Sequence, residues 1–179
     1  MLRRSILRLN NTAMALLKIF KFPDPILKKI CNKVIQFNSG LEKFISDLTE
    51  TLQSYKYCVG VAAPQVGSLQ RIIIVDVSKA RKPQPGNGLL ILINPVILES
   101  SNFKIVREGC LSIPDFTANV KRAMEITVVY QNIRGETKTL STKDFEAHAI
   151  QHETDHLDGI LFLDKITSPA TDLFRRVKY

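Results

Sequence analysis

Two histidines and a glutamate stand at a spacing that can bind a catalytic metal ion. They are His152, Glu153 and His156, within the segment Gln151-His152-Glu153-Thr154-Asp155-His156. Residues four apart share one face of a helix, so both imidazoles can converge on one ion while Glu153 reaches a water molecule beside it. This pattern is typical of metal-dependent hydrolases, and a chance occurrence is disfavoured in a chain with only three histidines.

A catalytic metal also needs a third protein ligand and an open coordination position. Phe162 stands where a metzincin would have its third histidine, and no glutamate follows Glu153 to complete a thermolysin-like site. His148 lies one turn before His152, but ligands from three successive turns of one straight helix cannot surround an ion tetrahedrally. We therefore expect His148 to line a pocket or to be a histidine whose hydrogen bonds are satisfied.

The third ligand must then come from a cysteine or from a downstream aspartate. Cys110 is the best placed cysteine, because a glycine precedes it and a proline follows it in the segment 107–114, which indicates a constrained turn. A buried, inert cysteine is the alternative interpretation. The downstream aspartates are Asp158, Asp164 and Asp172.

A run of small residues, Cys58–Gly67, is a further candidate part of the site. Glycine and alanine allow the backbone to approach a ligand closely, and the Gln65 amide can donate a hydrogen bond to a developing oxyanion. A tight connection between two elements is the alternative interpretation of this run.

The patterns around these residues predict an α+β fold with antiparallel or mixed β-sheets packed around the helix that carries the histidines. Ser39 and Glu42 form a capping pattern ahead of apolar residues at helical spacing, which predicts a first helix. The second helix is predicted to begin near Ser141 and to end at Gly159. Between the helices, strands are predicted over 71–77, 89–98, 103–106 and 120–130.

The composition is that of one globular domain, with 179 residues, 45% of them hydrophobic and 23% charged. The net charge of +8 comes from the chain ends, since residues 24–164 hold sixteen basic and sixteen acidic side chains. A neutral body argues against a groove that reads DNA. Three cysteines without a Cys-x-x-Cys pair indicate a reducing compartment, and no apolar run is long enough to span a membrane.

The N-terminal residues 1–16 are predicted to be an extension, and residues 17–179 a single catalytic domain with a short basic C-terminal tail. The extension contains arginines but no acidic residue and has the spacing of an amphipathic helix, as organelle presequences often do. An upstream start is the alternative, because Met14 offers an ordinary start just before the folded part. We expect a bacterial cytoplasm, or a mitochondrion or plastid if residues 1–16 are a transit peptide.

Taken together and in this order, the segments resemble the peptide deformylase family. That family has the motifs Gly-x-Gly-Leu-Ala-Ala-x-Gln, Glu-Gly-Cys-Leu-Ser and Gln-His-Glu-x-Asp-His-Leu. Glu108–Ser112 and Gln151–Leu157 match the second and third motifs without change, whereas the first has Cys58 for glycine and Val61 for leucine. The larger Cys58 is expected to alter the loop beside the substrate. The segment 22–27 also resembles the family's start, and the likeness extends from about residue 17 to 164.

The resemblance implies that Cys110, His152 and His156 bind one divalent metal ion, natively Fe²⁺ in many members, with Zn²⁺, Ni²⁺ or Co²⁺ as alternatives. By the same analogy, a metal-bound water attacks the formyl carbon of an N-formylmethionyl peptide, with Glu153 as general base and then acid. The Gln65 side chain and the backbone N–H of Leu111 would stabilise the oxyanion.

The resemblance also implies the substrate contacts. Val59 and Gly60 would bind the backbone of the extended peptide, and the helix face around Phe145 and His148 would line the methionine pocket. Because a histidine is polar for such a wall, we expect the His148 ring edge to point to solvent. Glu108 and Asp155 are candidates to orient the metal ligands or the neighbouring backbone, because a metal-bound histidine usually donates its other N–H to an acceptor. For Asp155, a solvated surface residue is the alternative interpretation.

Two competing functions stay open at this point. A small zinc metallopeptidase would use Asp164 or Asp172 as its third ligand. A ribosome-binding or RNA-binding module would act through the basic ends of the chain, and the same ends also give a deformylase a means of transient ribosome association. The favoured partners are newly made N-formylmethionyl polypeptides, with no DNA and no membrane.

Overall fold

The computed structural model describes residues 16–176, so most of the predicted N-terminal extension and the last three residues of the predicted tail lie outside the described residues. The helices are α1 (Ser39–Ser54), α2 (Asp144–Leu157) and the short α3 (Pro169–Asp172). The strands are β1 (Gly60–Ala62), β2 (Ile72–Val75), β3 (Leu90–Cys110), β4 (Ile113–Gln131), β5 (Thr137–Lys143) and β6 (Leu173–Arg175). The predicted α+β class is confirmed.

One antiparallel sheet contains these strands in the order β1-β2-β3-β4-β5, and β6 pairs with β4. β3 and β4 form a long hairpin, in which Cys110 is paired with Ile113 at the turn. The separate strands predicted over 89–98 and 103–106 are one strand, because the polar residues between them still pair their backbone with β4. β1 lies at the end of the strand order, so only one of its edges is occupied by another strand of this sheet.

The part of the sheet around β2 is buried between the two long helices. Successive residues of β2 point to opposite faces, so Ile73 and Val75 pack with the α2 residues Ala147, Ile150 and Leu157. On the other face, Ile72 and Ile74 pack with the α1 residues Leu41, Ile45, Leu48 and Leu52. This two-sided burial explains why β2 is an uninterrupted apolar run.

Two predicted helix starts are wrong. Asn38, not Ser39, caps α1, since its side chain accepts a hydrogen bond from the Leu41 N–H at 3.1 Å. Ser141 belongs to β5, where it pairs with Thr127 of β4, and α2 begins at Asp144. The helix start was predicted too early because β5 is polar and mostly exposed, so its side chains show no apolar alternation that would indicate a strand.

The C-terminal residues return to the sheet. After α3, Leu173–Arg175 pair with Phe116–Ala118 of β4, and the backbone N–H of Arg176 donates to the Asp115 carbonyl at 2.8 Å. Residues 173–176 of the predicted tail are therefore part of the folded domain. No helix among the described residues has the length and apolar character needed to cross a membrane.

Candidate active site

The site is assembled where the β3–β4 turn meets α2. Cys110 is the last residue of β3, and His152 and His156 lie one turn apart on α2. The Cys110 Sγ lies 3.2 Å from His156 Nε2, and one donor atom from each of the three residues lies within 4.8 Å of the others. All three side chains are buried. The three residues that the family resemblance named as ligands are thus brought together.

The chemistry of this donor cluster fits a divalent metal. Burial alone would raise the pKa of the Cys110 thiol, but the imidazoles of His156 and His152 hold it well below its ordinary value. A thiolate and two neutral imidazoles form a ligand set that zinc and other transition metals accept. The buried Oε2 of Glu153, next to these ligands in sequence, has no hydrogen-bond partner among the described residues, which leaves it available to a ligand.

Glu108 holds the first histidine of this cluster in position. Its Oε2 lies 2.8 Å from His152 Nδ1, which leaves the Nε2 of that ring for the metal. Arg122 of β4 binds the same carboxylate, with Nε 2.6 Å from Oε1 and Nη2 3.1 Å from Oε2. Burial opposes ionisation, but hydrogen bonds from His148, His152 and Arg122 hold the pKa of the Glu108 carboxyl far below its ordinary value.

His148 does not point its ring edge to solvent, so that expectation is wrong. The ring is buried, its Nε2 lies 3.0 Å from Glu108 Oε1, and it meets the Phe145 ring at an angle of 80°. The expectation of a hydrogen-bonded pocket-wall histidine agrees with this position. Asp155 contacts neither ligand histidine in a hydrogen bond; its carboxylate pairs with Arg122 and Lys165, so it acts on Glu108 through Arg122.

Glu153 faces β1 rather than solvent. A Cβ added to Gly60 would lie 2.5 Å from Glu153 Oε1, so only glycine at position 60 leaves room for this carboxylate. Burial raises the pKa of the Glu153 carboxyl to about 7, although His152 and His156 act in the opposite direction. A carboxyl group with a pKa near neutrality can both accept and return a proton.

Gln65 lies in the turn after β1 with its amide held at both ends. Its Oε1 accepts from the Ala62 N–H at 2.8 Å, and its Nε2 donates to Ser112 Oγ at 3.1 Å and to Cys110 Sγ at 3.3 Å. The amide N–H groups therefore point toward the donor cluster, as an oxyanion donor requires. Ser112 is buried and was not singled out in the sequence, although it directly follows the predicted Cys110-Leu111 pair.

A cavity of about 540 Å³ connects these residues to the surface. It is lined by all of the predicted catalytic, metal-binding and substrate-binding residues except His156, namely Val59, Gly60, Gln65, Cys110, Leu111, Phe145, His148, His152 and Glu153. A larger cavity of about 1200 Å³ lies between β5 and the loop after β2, but none of its lining residues is a cysteine or histidine. The smaller cavity is therefore the one that contains the chemistry.

The aspartates considered as third ligands lie elsewhere. Asp158 pairs with Arg71, and Asp164 pairs with Lys28 at 2.6 Å. Asp172 accepts hydrogen bonds from the backbone N–H groups of Thr167 and Ser168. None of them joins the cluster of Cys110 and the two histidines that the described residues contain.

Comparison with known proteins gives one consistent match. The family model described as polypeptide deformylase matches residues 16–172. A peptide deformylase from Thermodesulfovibrio yellowstonii is 41% identical over 163 residues, covering 91% of this chain and 96% of the relative. One from Desulfotalea psychrophila is 39% identical over 163 residues, covering 91% and 95%.

Solved structures agree with the sequence match. The crystal structure of peptide deformylase from Thermotoga maritima has a TM-score of 0.78 and 39% identity, covering 86% of this chain and 99% of that one. A Met-Ala-Ser-bound class I type b peptide deformylase from Acinetobacter baumannii has a TM-score of 0.81 and 34% identity, with the same coverage. The chain thus belongs to the peptide deformylase family, whose function is the deformylation of N-formylmethionine peptides.

Proposed function

We propose that this chain removes the formyl group from newly made N-formylmethionyl polypeptides, giving formate and a free amino terminus. The observation that carries this proposal is the buried cluster of Cys110, His152 and His156 beside Glu153, in a cavity open to the surface. The metallopeptidase alternative gains no support, because Asp164 and Asp172 are engaged elsewhere.

Cys110, His152 and His156 would hold the metal ion, and we propose Fe²⁺, with Zn²⁺, Ni²⁺ or Co²⁺ as alternatives. A divalent ion bound there supplies Lewis-acid chemistry, polarising the formyl oxygen and lowering the pKa of water. Glu108 keeps the His152 ring turned toward the site, and Arg122 keeps Glu108 ionised.

Glu153 is proposed as the proton-transfer group. Its buried carboxylate takes a proton from the attacking water and returns it to the departing amine. The absence of a partner for its Oε2 among the described residues, together with a pKa raised to about 7 by burial, supports this role. The glycine at position 60 also supports this role, because the Glu153 carboxylate occupies the space that a side chain at position 60 would fill.

Gln65 and the backbone N–H of Leu111 are proposed to stabilise the negative charge that develops on the formyl oxygen. The Gln65 Nε2 already lies 3.3 Å from Cys110 Sγ, so an oxyanion formed at the cluster would be within reach of this donor. One such donor is typically worth about 3–4 kcal/mol of transition-state stabilisation.

The substrate is proposed to bind as an extended strand along the unpaired edge of β1, with Val59 and Gly60 contacting its backbone. The methionine side chain would enter the cavity against Phe145 and Ala149. His148 closes this wall, with its Nε2 bound to Glu108.

The setting is proposed to be a bacterial cytoplasm, in keeping with the bacterial relatives, or an organelle if residues 1–16 are a transit peptide. Residues 17–179 are proposed to form one catalytic domain, with residues 1–16 as an extension before it. Transient ribosome association through the basic termini is part of this proposal.

The test is formate release by anaerobic, Fe²⁺-loaded protein from formyl-Met-Ala-Ser, with unformylated Met-Ala-Ser as the substrate control. We expect metal-dependent formate from the formyl peptide, and loss of that activity in Glu153→Gln. If folded, metal-replete protein releases no formate from the formyl peptide, the result contradicts the proposal.

A further inference from the structure

The mouth of the active-site cavity carries four cations that the proposed deformylation does not use. They are Lys56, Arg81, Arg107 and Arg176, all exposed, and we call them the basic rim. The described residues that line the cavity include two carboxylates, Glu108 and Glu153, and both are buried. The Glu108 charge is already compensated by Arg122. The rim therefore gives the entrance a positive potential, although residues 24–164 carry no net charge.

Two of these cations are held beside the Cys110 turn by the C-terminal strand. The Arg107 guanidinium packs on the Phe174 ring of β6, 3.4 Å from the ring centroid. Arg176 follows β6, and its Nη2 lies so close to Gly109 that a Cβ at that position would collide with it. The pairing of β6 with β4 thus brings both guanidinium groups to the wall that ends in Cys110 and Leu111.

The other two cations come from separate segments. Lys56 follows α1, and its Nζ lies 4.9 Å from the centre of the Tyr57 ring. Arg81 lies on the loop after β2. This loop is held against α2 by Asn87, whose backbone N–H and side-chain amide donate hydrogen bonds to Glu146 at 2.7 and 2.6 Å. Four cations from separate parts of the chain converge on one opening.

We propose that the basic rim makes this enzyme favour substrates with an acidic residue in the first two positions after the formylmethionine. This inference rests on the proposed deformylase activity. An extended peptide advances about 3.3 Å per residue, so the side chains directly after a buried methionine are at the mouth of the cavity. A carboxylate there would be attracted by several exposed cations, and a lysine would be repelled by them.

The residues of the basic rim line the same cavity as the catalytic residues and do not form a convex basic face. This position favours a peptide over ribosomal RNA as the anionic partner. RNA binding by the rim predicts a different result in the same variants: loss of salt-sensitive ribosome association without a change in peptide preference.

The experiment compares formyl-Met-Asp-Ser, formyl-Met-Ala-Ser and formyl-Met-Lys-Ser as substrates of Fe²⁺-loaded protein. We expect kcat/KM to be about tenfold higher for the Asp peptide than for the Lys peptide at low ionic strength, and this ratio to fall to about twofold in 0.5 M salt. In the double variant Arg107→Gln/Arg176→Gln the ratio falls at least about threefold, as expected for the loss of two exposed cations. The matched double variant Lys33→Gln/Arg134→Gln, which removes two exposed cations outside the cavity, keeps the wild-type ratio.

A second readout separates this inference from the proposed function. Calorimetric Kd values for the unformylated peptides Met-Asp-Ser and Met-Lys-Ser on the metal-loaded protein report the rim whether or not formate is released. A Kd ratio near one overturns the inference, and so does a ratio that is unchanged in Arg107→Gln/Arg176→Gln. Loss of ribosome co-sedimentation in that variant with a peptide ratio near one assigns the rim to RNA and likewise overturns it. No formate from any peptide, with the Kd ratio intact, contradicts the proposed function alone.

Discussion

The Glu108 carboxylate lies 2.8 Å from Nδ1 of His152, so a residue near the end of β3 fixes the orientation of a histidine on α2. Cys110, two residues later on the same strand, lies against His156 on that helix. The short segment from Glu108 to Cys110 therefore makes contact with both proposed ligand histidines, His152 and His156. This explains how two segments far apart in sequence form one rigid site.

Removing the Glu108 carboxylate should destabilise the protein strongly. In Glu108→Ala, the buried Arg122 loses its bidentate partner and keeps only Asp155, so we expect the free energy of unfolding to fall by about 3 kcal/mol. Urea denaturation measures this change. The control Glu125→Ala removes an exposed carboxylate from β4 and should cost at most about 0.5 kcal/mol.

A double variant tests the cause of that loss. Glu108→Ala/Arg122→Met removes the uncompensated charge as well as its partner, so it should recover part of the lost stability. Metal affinity should stay low in both variants, because His152 has lost the carboxylate that orients its ring. If the double variant is no more stable than Glu108→Ala, the unpaired guanidinium is not the reason for the loss.

Gly60→Ala should lower turnover far more than it lowers stability. The added Cβ would lie 2.5 Å from Glu153 Oε1 and 2.8 Å from its Cγ, so the carboxylate must move away from its position in the site. A displacement of about 1 Å typically costs about 10²-fold in rate. Formate release and circular dichroism measure the two effects.

The control for this variant is Gly40→Ala in the first turn of α1, where the added Cβ meets only the Asn38 side chain at 3.2 Å. It should keep wild-type turnover. Wild-type turnover in Gly60→Ala as well would mean that the position of the Glu153 carboxylate does not matter for the reaction.

The sequence predicted the parts of this site that depend on local spacing. The α2 histidines follow from their four-residue separation, and the family motifs identified Cys110 and Gln65. Arg122 was missed because it follows another cation, Lys121, and belongs to no motif in the sequence. Only the folded structure shows that its guanidinium reaches Glu108 across the β3–β4 hairpin. β5 was missed because backbone hydrogen bonds, not apolar side chains, define it.

The basic rim could not be predicted from sequence for a similar reason. Arg107 and Arg176 are 69 residues apart in the sequence and line the same cavity only because β6 returns to β4. The sequence did show basic residues near the C-terminus, but their charge alone indicated an anionic partner without showing that Arg176 lies at the cavity.

The Cys58 thiol should be unreactive at neutral pH although it lines the cavity. Burial raises its pKa to about 12, with the Glu153 charge acting in the same direction, and its Sγ donates to the Gly60 carbonyl at 3.2 Å. A raised pKa leaves the neutral thiol dominant below that value, so the rate of reaction with a disulfide reagent should rise about tenfold per pH unit between pH 7 and 10.

Metal-loaded wild type and Cys58→Ser identify the thiol that reacts. Their rates with the reagent should be nearly equal at pH 7. Rapid modification of the wild type at pH 7 that disappears in Cys58→Ser would show that the thiol is ionised well below the expected pH.

Glu146 should control the loop that carries Arg81. Its buried carboxylate accepts hydrogen bonds from the Asn87 N–H and side-chain amide and from the Thr142 hydroxyl at 2.7 Å. Glu146→Ala leaves these donors unpaired, which costs about 1–3 kcal/mol and releases the loop. Trypsin should then cleave after Lys79 and Arg81 at least about tenfold faster than in wild type, since local opening exposes these sites.

Glu136→Ala is the matched control, because this exposed carboxylate pairs with Lys138 away from the loop. It should leave the cleavage rate at the wild-type value. Equal cleavage rates in Glu146→Ala and wild type would show that the hydrogen bonds to Asn87 do not hold the loop.

Metal content and formate release, measured on the same anaerobic samples of wild type, Cys110→Ser and Asp164→Asn, decide whether the donor cluster is the catalytic centre. We predict about one metal ion per chain and formate release for wild type and Asp164→Asn, and loss of both in Cys110→Ser, because the three-residue ligand set is then incomplete. Retention of metal and of formate release by Cys110→Ser would contradict the assignment of this site.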